Sequence, residues 1–150
     1  VADMLSWPRH ELFAFQKDTA DYYGKLENFL PVISINDAAE SARIGASGLM
    51  HLLTHSYLYA AEDDRPMILQ QAYKAAFFVM QVHKCVETGV YCRSRSQLMS
   101  RLDGADKEII SAGIDVSQWL ASHSQRECFA TLMRWCSTIV QAASKYPGAE

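Results

Sequence analysis

Three charged side chains near the N-terminus, Asp18, Asp21 and Lys25, have a spacing that suits binding or proton transfer. On one helix, at about 100° per residue, they fall within about 60° of one another beside the apolar face. A carboxylate in that position can act as a general base toward a hydroxyl within hydrogen-bond reach. The spacing therefore indicates an acidic groove with one ammonium group, suited to a ligand that carries amines or hydroxyls.

The same residues also have a structural interpretation. Asp21 precedes Lys25 by four residues, and such a pair stabilises an exposed helix by about 0.2–0.5 kcal/mol without any ligand. Spacing alone favours this ion-pair interpretation over a functional one.

The sequence that must position these residues has the pattern of an all-α protein. Apolar residues recur at intervals of three and four, without a repeat or a low-complexity tract. The pattern predicts a first helix from about Ser6 to the stop at Pro31, carrying all three charged residues. Tyr22, Tyr23 and Phe29 are expected in the core on its apolar side.

Turn-forming residues divide the remainder into further helices. We expect helices at residues 37–61, 66–89, 94–102, 106–112 and 124–145. Asn36 is the expected cap of the first of these, the small residues at 45–48 are expected to let another helix approach, and Trp119 is assigned to the buried stripe of the last. The predicted fold is one domain, residues 1–150, forming an up-and-down bundle of four to five helices with a short irregular helical crossover.

Composition excludes several classes of protein. The net charge of −3, with no long basic run, argues against nucleic acid as a partner. No apolar stretch is long enough to predict a membrane span, and no leader segment is recognisable. Four cysteines without zinc-site spacing predict small core residues in a reduced, cytoplasmic protein.

Several segments resemble the C-terminal helical domain of the kanamycin nucleotidyltransferase family. In that family a glutamate, an aromatic, a small residue, glycine and lysine follow in order. Residues 21–28 are similar, with aspartate in first place and Tyr23 at the position of the small residue. Residues 78–84, 91–102 and 129–146 are similar to later helices of the same domain. The resemblance spans most of residues 15–147, but only residues 21–28 are motif-like, and the rest is shared with the wider HEPN group.

The resemblance implies a role for each charged residue. Asp21 matches the base that activates the acceptor hydroxyl toward the α-phosphate of a nucleotide, Lys25 matches the lysine on that phosphate, and Asp18 matches an acidic residue of the acceptor-binding surface. Aspartate in place of glutamate shortens the reach of the base. Lys17 stands where the family has a second acidic residue and would repel a polycationic antibiotic. A small-molecule acceptor is expected, and the sequence does not identify it as an aminoglycoside or as another compound.

The family's transfer reaction needs a separate α/β domain, in which paired aspartates hold magnesium and neutralise the transferred group. This sequence contains no counterpart of that domain. The resemblance therefore implies a substrate-binding domain that is not catalytic alone, either the C-terminal half of a nucleotidyltransferase or a subunit partnered with its catalytic domain. Mg²⁺ and a nucleoside triphosphate are implied for the complete enzyme, with no cofactor in this chain, and a homodimer is expected.

Three alternatives remain. In the first, the chain is a non-enzymatic interaction or dimerisation module of the HEPN type. In the second it is a HEPN ribonuclease, which is disfavoured because no arginine precedes a histidine by four to six residues. In the third, His51 and His55, one turn apart, bind a metal ion, although the sequence shows no third ligand near them.

Overall fold

The computed structural model describes residues 6–146, and this part of the chain contains seven α-helices and no strand. The helices are α1 (Arg9–Asp18), α2 (Ile35–Leu52), α3 (Arg65–Thr88), α4 (Arg95–Met99), α5 (Gly104–Ala112), α6 (Val116–Ser122) and α7 (Gln125–Ala143). Two 3-10 turns, Leu26–Asn28 and Glu62–Asp64, and a π-helical turn, Leu53–Tyr57, lie between them. The predicted all-α bundle is confirmed.

The three long helices α2, α3 and α7 form the core. Helices α2 and α3 run antiparallel: Gly45 faces Val79 near the middle of both, and the Tyr57 ring lies 5.4 Å from the Arg65 guanidinium where the chain turns back. Helix α7 packs against both and is tied to α3 by the buried hydroxyl of Tyr73, which donates to the carbonyl of Cys128 at 3.0 Å. The largest fully buried apolar side chains include Leu53, Leu69, Tyr73, Met80, Leu132 and Ile139.

The close approach of α2 and α3 depends on one glycine. A Cβ at Gly45 would lie 3.0 Å from the Val79 methyl, whereas one at Gly48 would meet nothing within 4 Å. The predicted role of the small residues is therefore confirmed at position 45 but not at position 48.

Apolar contacts attach α1 to this core, and polar side chains attach the crossover and α5. Helix α1 inserts Leu12 and Phe13 against it. The buried Gln81 amide donates to the carbonyl of Cys92 at 2.7 Å, which holds the crossover after α3. The Trp135 indole donates to Asp106 at 2.9 Å and joins α7 to α5.

Local hydrogen bonds set the helix starts. Ser34 and Asp37 form a capping box at α2, so the helix begins ahead of the expected cap at Asn36. Ser124 and Glu127 do the same at α7. Because His123 is extended between α6 and α7, Trp119 lies in α6, and its assignment to the last helix was wrong.

The four cysteines are buried and unpaired by disulfides, as predicted. Among the helices of residues 6–146, none has the length and apolar character that crossing a membrane requires. The cytoplasmic location stays a prediction.

Candidate functional site

The predicted charged strip does not lie on one helix. Helix α1 ends at Asp18, and Thr19 is extended with φ −85° and ψ 141°. Asp21 and Lys25 lie beyond it, in irregular chain. The prediction of a helix through residue 31 was therefore wrong, and the angular argument that placed the three charges side by side no longer holds.

The chain leaves the helix because its own side chains support a turn. Asp21 accepts the backbone N–H of Leu26 through Oδ1 at 2.9 Å, a local bond that competes with helical hydrogen bonding. Gly24 has φ +74°, a left-handed conformation that glycine adopts without strain. The turn then closes with the 3-10 turn Leu26–Asn28.

Asp18 is the one of the three that lies beside a cavity-lining residue. The Tyr91 hydroxyl points between its two carboxylate oxygens, at 2.9 and 3.0 Å, and donates to them. Burial and this carboxylate raise the pKa of Tyr91, so the hydroxyl stays protonated. Tyr91 also lines a cavity of about 230 Å³ whose other walls include Gln97, Ser100 and Arg101. Asp18 is thus linked, through the Tyr91 hydroxyl, to a polar cavity at the crossover.

Asp21 and Lys25 are both surface groups. Asp21 is exposed, with Oδ1 engaged by the Leu26 N–H. The Lys25 ammonium lies 3.6 Å from Glu27, and the two side chains are 70% and 61% exposed. An exposed pair of this kind adds little to stability, because water and salt screen it. The ion-pair interpretation pairs Lys25 with Asp21, but in the structure Lys25 pairs with Glu27 instead.

The chain between α1 and α2, residues 19–33, is here called the connecting segment. It exposes four large apolar side chains: Tyr22 at 103%, Tyr23 at 99%, Val32 at 88% and Phe29 at 53%. The prediction that the aromatic residues lie in the core was wrong. Such concentrated exposure of apolar and aromatic side chains is typical of a contact surface.

A basic cavity of about 390 Å³ lies on the first turns of α7. His123, Arg126 and Arg134 contribute its basic side chains, and Ala130 and Thr131 lie among them. The one carboxylate there, Glu127, is held by the backbone and hydroxyl of Ser124, and these bonds lower the pKa of Glu127. The cavity therefore presents mainly cationic groups.

The connecting segment and this basic cavity lie at opposite ends of the bundle. The segment begins beside Tyr91, just after α3, and ends at the start of α2. The cavity begins near Phe129, whose ring stacks on Tyr57 at 4.8 Å beyond the far end of α2. The 18 residues of α2 rise about 27 Å, so within one copy of the chain the segment lies away from the cavity.

Sequence reasoning missed both surfaces. Thr19, Asp21 and Gly24 are turn-forming residues within six positions, and that cluster was the available signal for the end of α1. The basic cavity had a weaker signal, the arginines at 126 and 134, which lie eight residues apart and therefore on one side of a helix.

Within residues 6–146 no group of three or more histidine, cysteine, aspartate or glutamate side chains is arranged to hold a metal ion. Comparison with protein-family models, with curated proteins and with solved structures found no match to this chain.

Proposed function

We propose that this chain is a helical interaction module that pairs with a second copy of itself through the connecting segment. The observation that carries this proposal is the exposure of Tyr22, Tyr23, Phe29 and Val32 on one stretch of chain. Tyrosine and phenylalanine are the side chains on which protein contacts most often depend, because they bury a large area at a small entropic cost.

The opposite charges of the connecting segment and the basic cavity indicate that the segment binds in the cavity. The connecting segment carries two carboxylates, Asp21 and Glu27, against the single ammonium of Lys25. In the basic cavity on α7, Arg126 and Arg134 lie beside small side chains, Ala130 and Thr131, against which an aromatic ring can pack. Opposite potentials orient such contacts and suppress wrong partners.

The separation of the two surfaces explains why a second copy is needed. The segment of one protomer reaches the cavity of the other, and a two-fold axis repeats the contact in reverse. The resulting dimer is closed and contains two identical contacts.

The test is sedimentation equilibrium of the purified chain over a range of concentrations. The expected result is a reversible dimer that weakens as salt is raised, since charges surround the contact. The double variant Tyr22→Ser/Tyr23→Ser and the double variant Arg126→Glu/Arg134→Glu should each weaken it about tenfold or more. Lys74→Glu, an exposed charge reversal on α3, is the matched control and should leave it unchanged.

Mixing the two double variants tests the pairing itself. One variant keeps an intact cavity and the other an intact segment, so a mixture can form one of the two contacts. Heterodimers should therefore appear where neither variant dimerises alone. A chain that stays monomeric, or variants that dimerise like the wild type, would contradict the proposal.

A second candidate is the acceptor-binding domain of a nucleotidyltransferase, with Asp18 on the acceptor, Asp21 as base and Lys25 on the phosphate. The link of Asp18, through the Tyr91 hydroxyl, to the polar cavity lined by Tyr91, Gln97 and Arg101 favours it. Magnesium and the nucleotide would be held by the partner's catalytic domain, and the exposure of Asp21 and Lys25 leaves both open to that domain.

Calorimetric titration with kanamycin and with simpler hydroxylated amines tests this second candidate. Asp18→Asn should weaken binding of an acceptor, whereas Asp103→Asn, an exposed carboxylate of the crossover, should not. In the assembled enzyme Asp21→Asn should abolish transfer without changing the fold, because an asparagine oxygen can still accept the Leu26 N–H. Unchanged turnover would remove Asp21 from the mechanism.

A further inference from the structure

Two histidines at the end of α2 lie in direct contact. The imidazole rings of His51 and His55 have centroids 4.2 Å apart and planes tilted by 35°. Both residues are exposed, so neither ring is needed to fill the core. Both imidazoles are therefore accessible to a dissolved ion.

The backbone accounts for this contact. His51 lies in the last turn of α2, and His55 lies in the π-helical turn Leu53–Tyr57 that follows. A π-helical turn is wider than an α-helical turn. His55, four residues after His51, therefore lies more directly above His51 along the helix axis. Thr54 stabilises the junction, because its hydroxyl lies 2.9 Å from the Met50 carbonyl and 3.1 Å from the His51 carbonyl. Such π turns often occur at functional sites.

We propose that His51 and His55 together bind one divalent late transition-metal ion of the copper, nickel and zinc class. Imidazole nitrogen is a preferred ligand of these ions, whereas magnesium and calcium require oxygen ligands. Two rings held side by side bind one ion more tightly than either does alone, since the second bond forms within one molecule.

The rest of the coordination shell is open. No third histidine, cysteine or carboxylate stands close enough, within the described range 6–146, to complete a closed site. Water fills the remaining positions, so the ion is exchangeable and accessible to an external ligand. Neither histidine lies in the connecting segment or lines the basic cavity, so this site shares no residue with the proposed dimer contact.

The test is titration of the tag-free chain with Cu²⁺, followed by electron paramagnetic resonance. The wild type should take up one ion with two equivalent nitrogens in its spectrum. His51→Ala and His55→Ala should each weaken binding about tenfold or more and reduce the nitrogen count to one. His10→Ala, which removes a histidine of α1, is the matched control and should bind like the wild type.

Circular dichroism checks that all three variants remain folded, as the exposure of His51 and His55 leads us to expect. Absence of stoichiometric uptake at about 100 µM copper would overturn the proposal. So would single variants that bind as tightly as the wild type, or an equal loss in His10→Ala.

Discussion

The core and the connecting segment use the same residue type in opposite ways. Tyr73 on α3 is completely buried, and its hydroxyl is bonded to the Cys128 carbonyl. Tyr22 and Tyr23 are almost completely exposed. The difference comes from the backbone: Tyr73 belongs to an uninterrupted helix of 24 residues, while Tyr22 and Tyr23 lie in a turn supported by Asp21 and Gly24. Apolar content alone therefore does not predict burial.

Truncating matched tyrosines gives the largest contrast between the two regions. Tyr73→Ala should lower the free energy of unfolding by about 3–5 kcal/mol, because it leaves a cavity in the core. Tyr23→Ala should change it by less than about 0.5 kcal/mol, because the side chain has few contacts to lose. Urea denaturation measures both. Comparable losses would mean that the segment is packed against the bundle.

Two glycines, one at the end of α5 and one within α2, sharpen the comparison. A Cβ at Gly113 would lie 2.7 Å from the Tyr73 carbonyl oxygen, so Gly113→Ala should destabilise the fold by about 1–3 kcal/mol. Gly48 is exposed in α2 and its Cβ would meet nothing, so Gly48→Ala should stabilise by about 0.5–1 kcal/mol. Thermal unfolding of both variants shows whether each substitution raises or lowers the stability of the fold. A shift of the same sign in both would contradict the close approach of Gly113 to the Tyr73 carbonyl in α3.

The buried His83 makes the stability of the core depend on pH. Burial lowers the pKa of His83 below its ordinary 6.5, and the nearby carboxylates of Glu87 and Asp106 offset only part of this effect. The unfolded chain therefore binds the proton more readily, and stability falls as pH drops from about 6.5 to the lower pKa of the folded chain. Below that value the loss from this residue is complete.

Denaturation curves at several pH values, for the wild type and His83→Gln, isolate this effect. In the His83→Gln variant, the free energy of unfolding should lack the fall that His83 causes between pH 6.5 and the pKa of His83 in the folded chain. Curves with the same pH dependence would show that His83 is not buried as a neutral ring.

A small loss of stability is expected where α1 meets the crossover. Tyr91→Phe removes the hydroxyl that donates to Asp18 and should lower stability by about 0.5–1.5 kcal/mol. The Asp18 carboxylate is exposed and regains water, which keeps the loss small. Chemical denaturation measures it, with Tyr59→Phe, an exposed tyrosine, as the control. A loss no larger than in that control would mean that the bond does not hold α1 to the crossover.

The bundle itself could be predicted because its signals are local and agree with one another. Pro66 opens α3 and the left-handed Gly89 closes it, and the apolar period between them is unbroken. The serine caps of α4 and α7 likewise mark helix starts in the sequence.

The candidate site could not be predicted in the same way. The apolar period of residues 12–30 favours a continuing helix, and it outweighed the turn signals of Asp21 and Gly24 in the prediction. The Asp18–Tyr91 bond joins residues 73 positions apart, and no local pattern indicates it. The roles implied for Asp18, Asp21 and Lys25 remain predictions, as do the nucleotide and magnesium of the complete enzyme.

Hydrogen–deuterium exchange of the wild-type chain at low and high protein concentration tests the central claim most directly. We expect the amides of residues 19–25 to exchange quickly in dilute solution, while those of α2, α3 and α7 exchange slowly. At high concentration the connecting segment and the first turns of α7 should become protected together, with the core unchanged. Slow exchange of residues 19–25 in dilute solution, or exchange there that does not depend on concentration, would contradict the account.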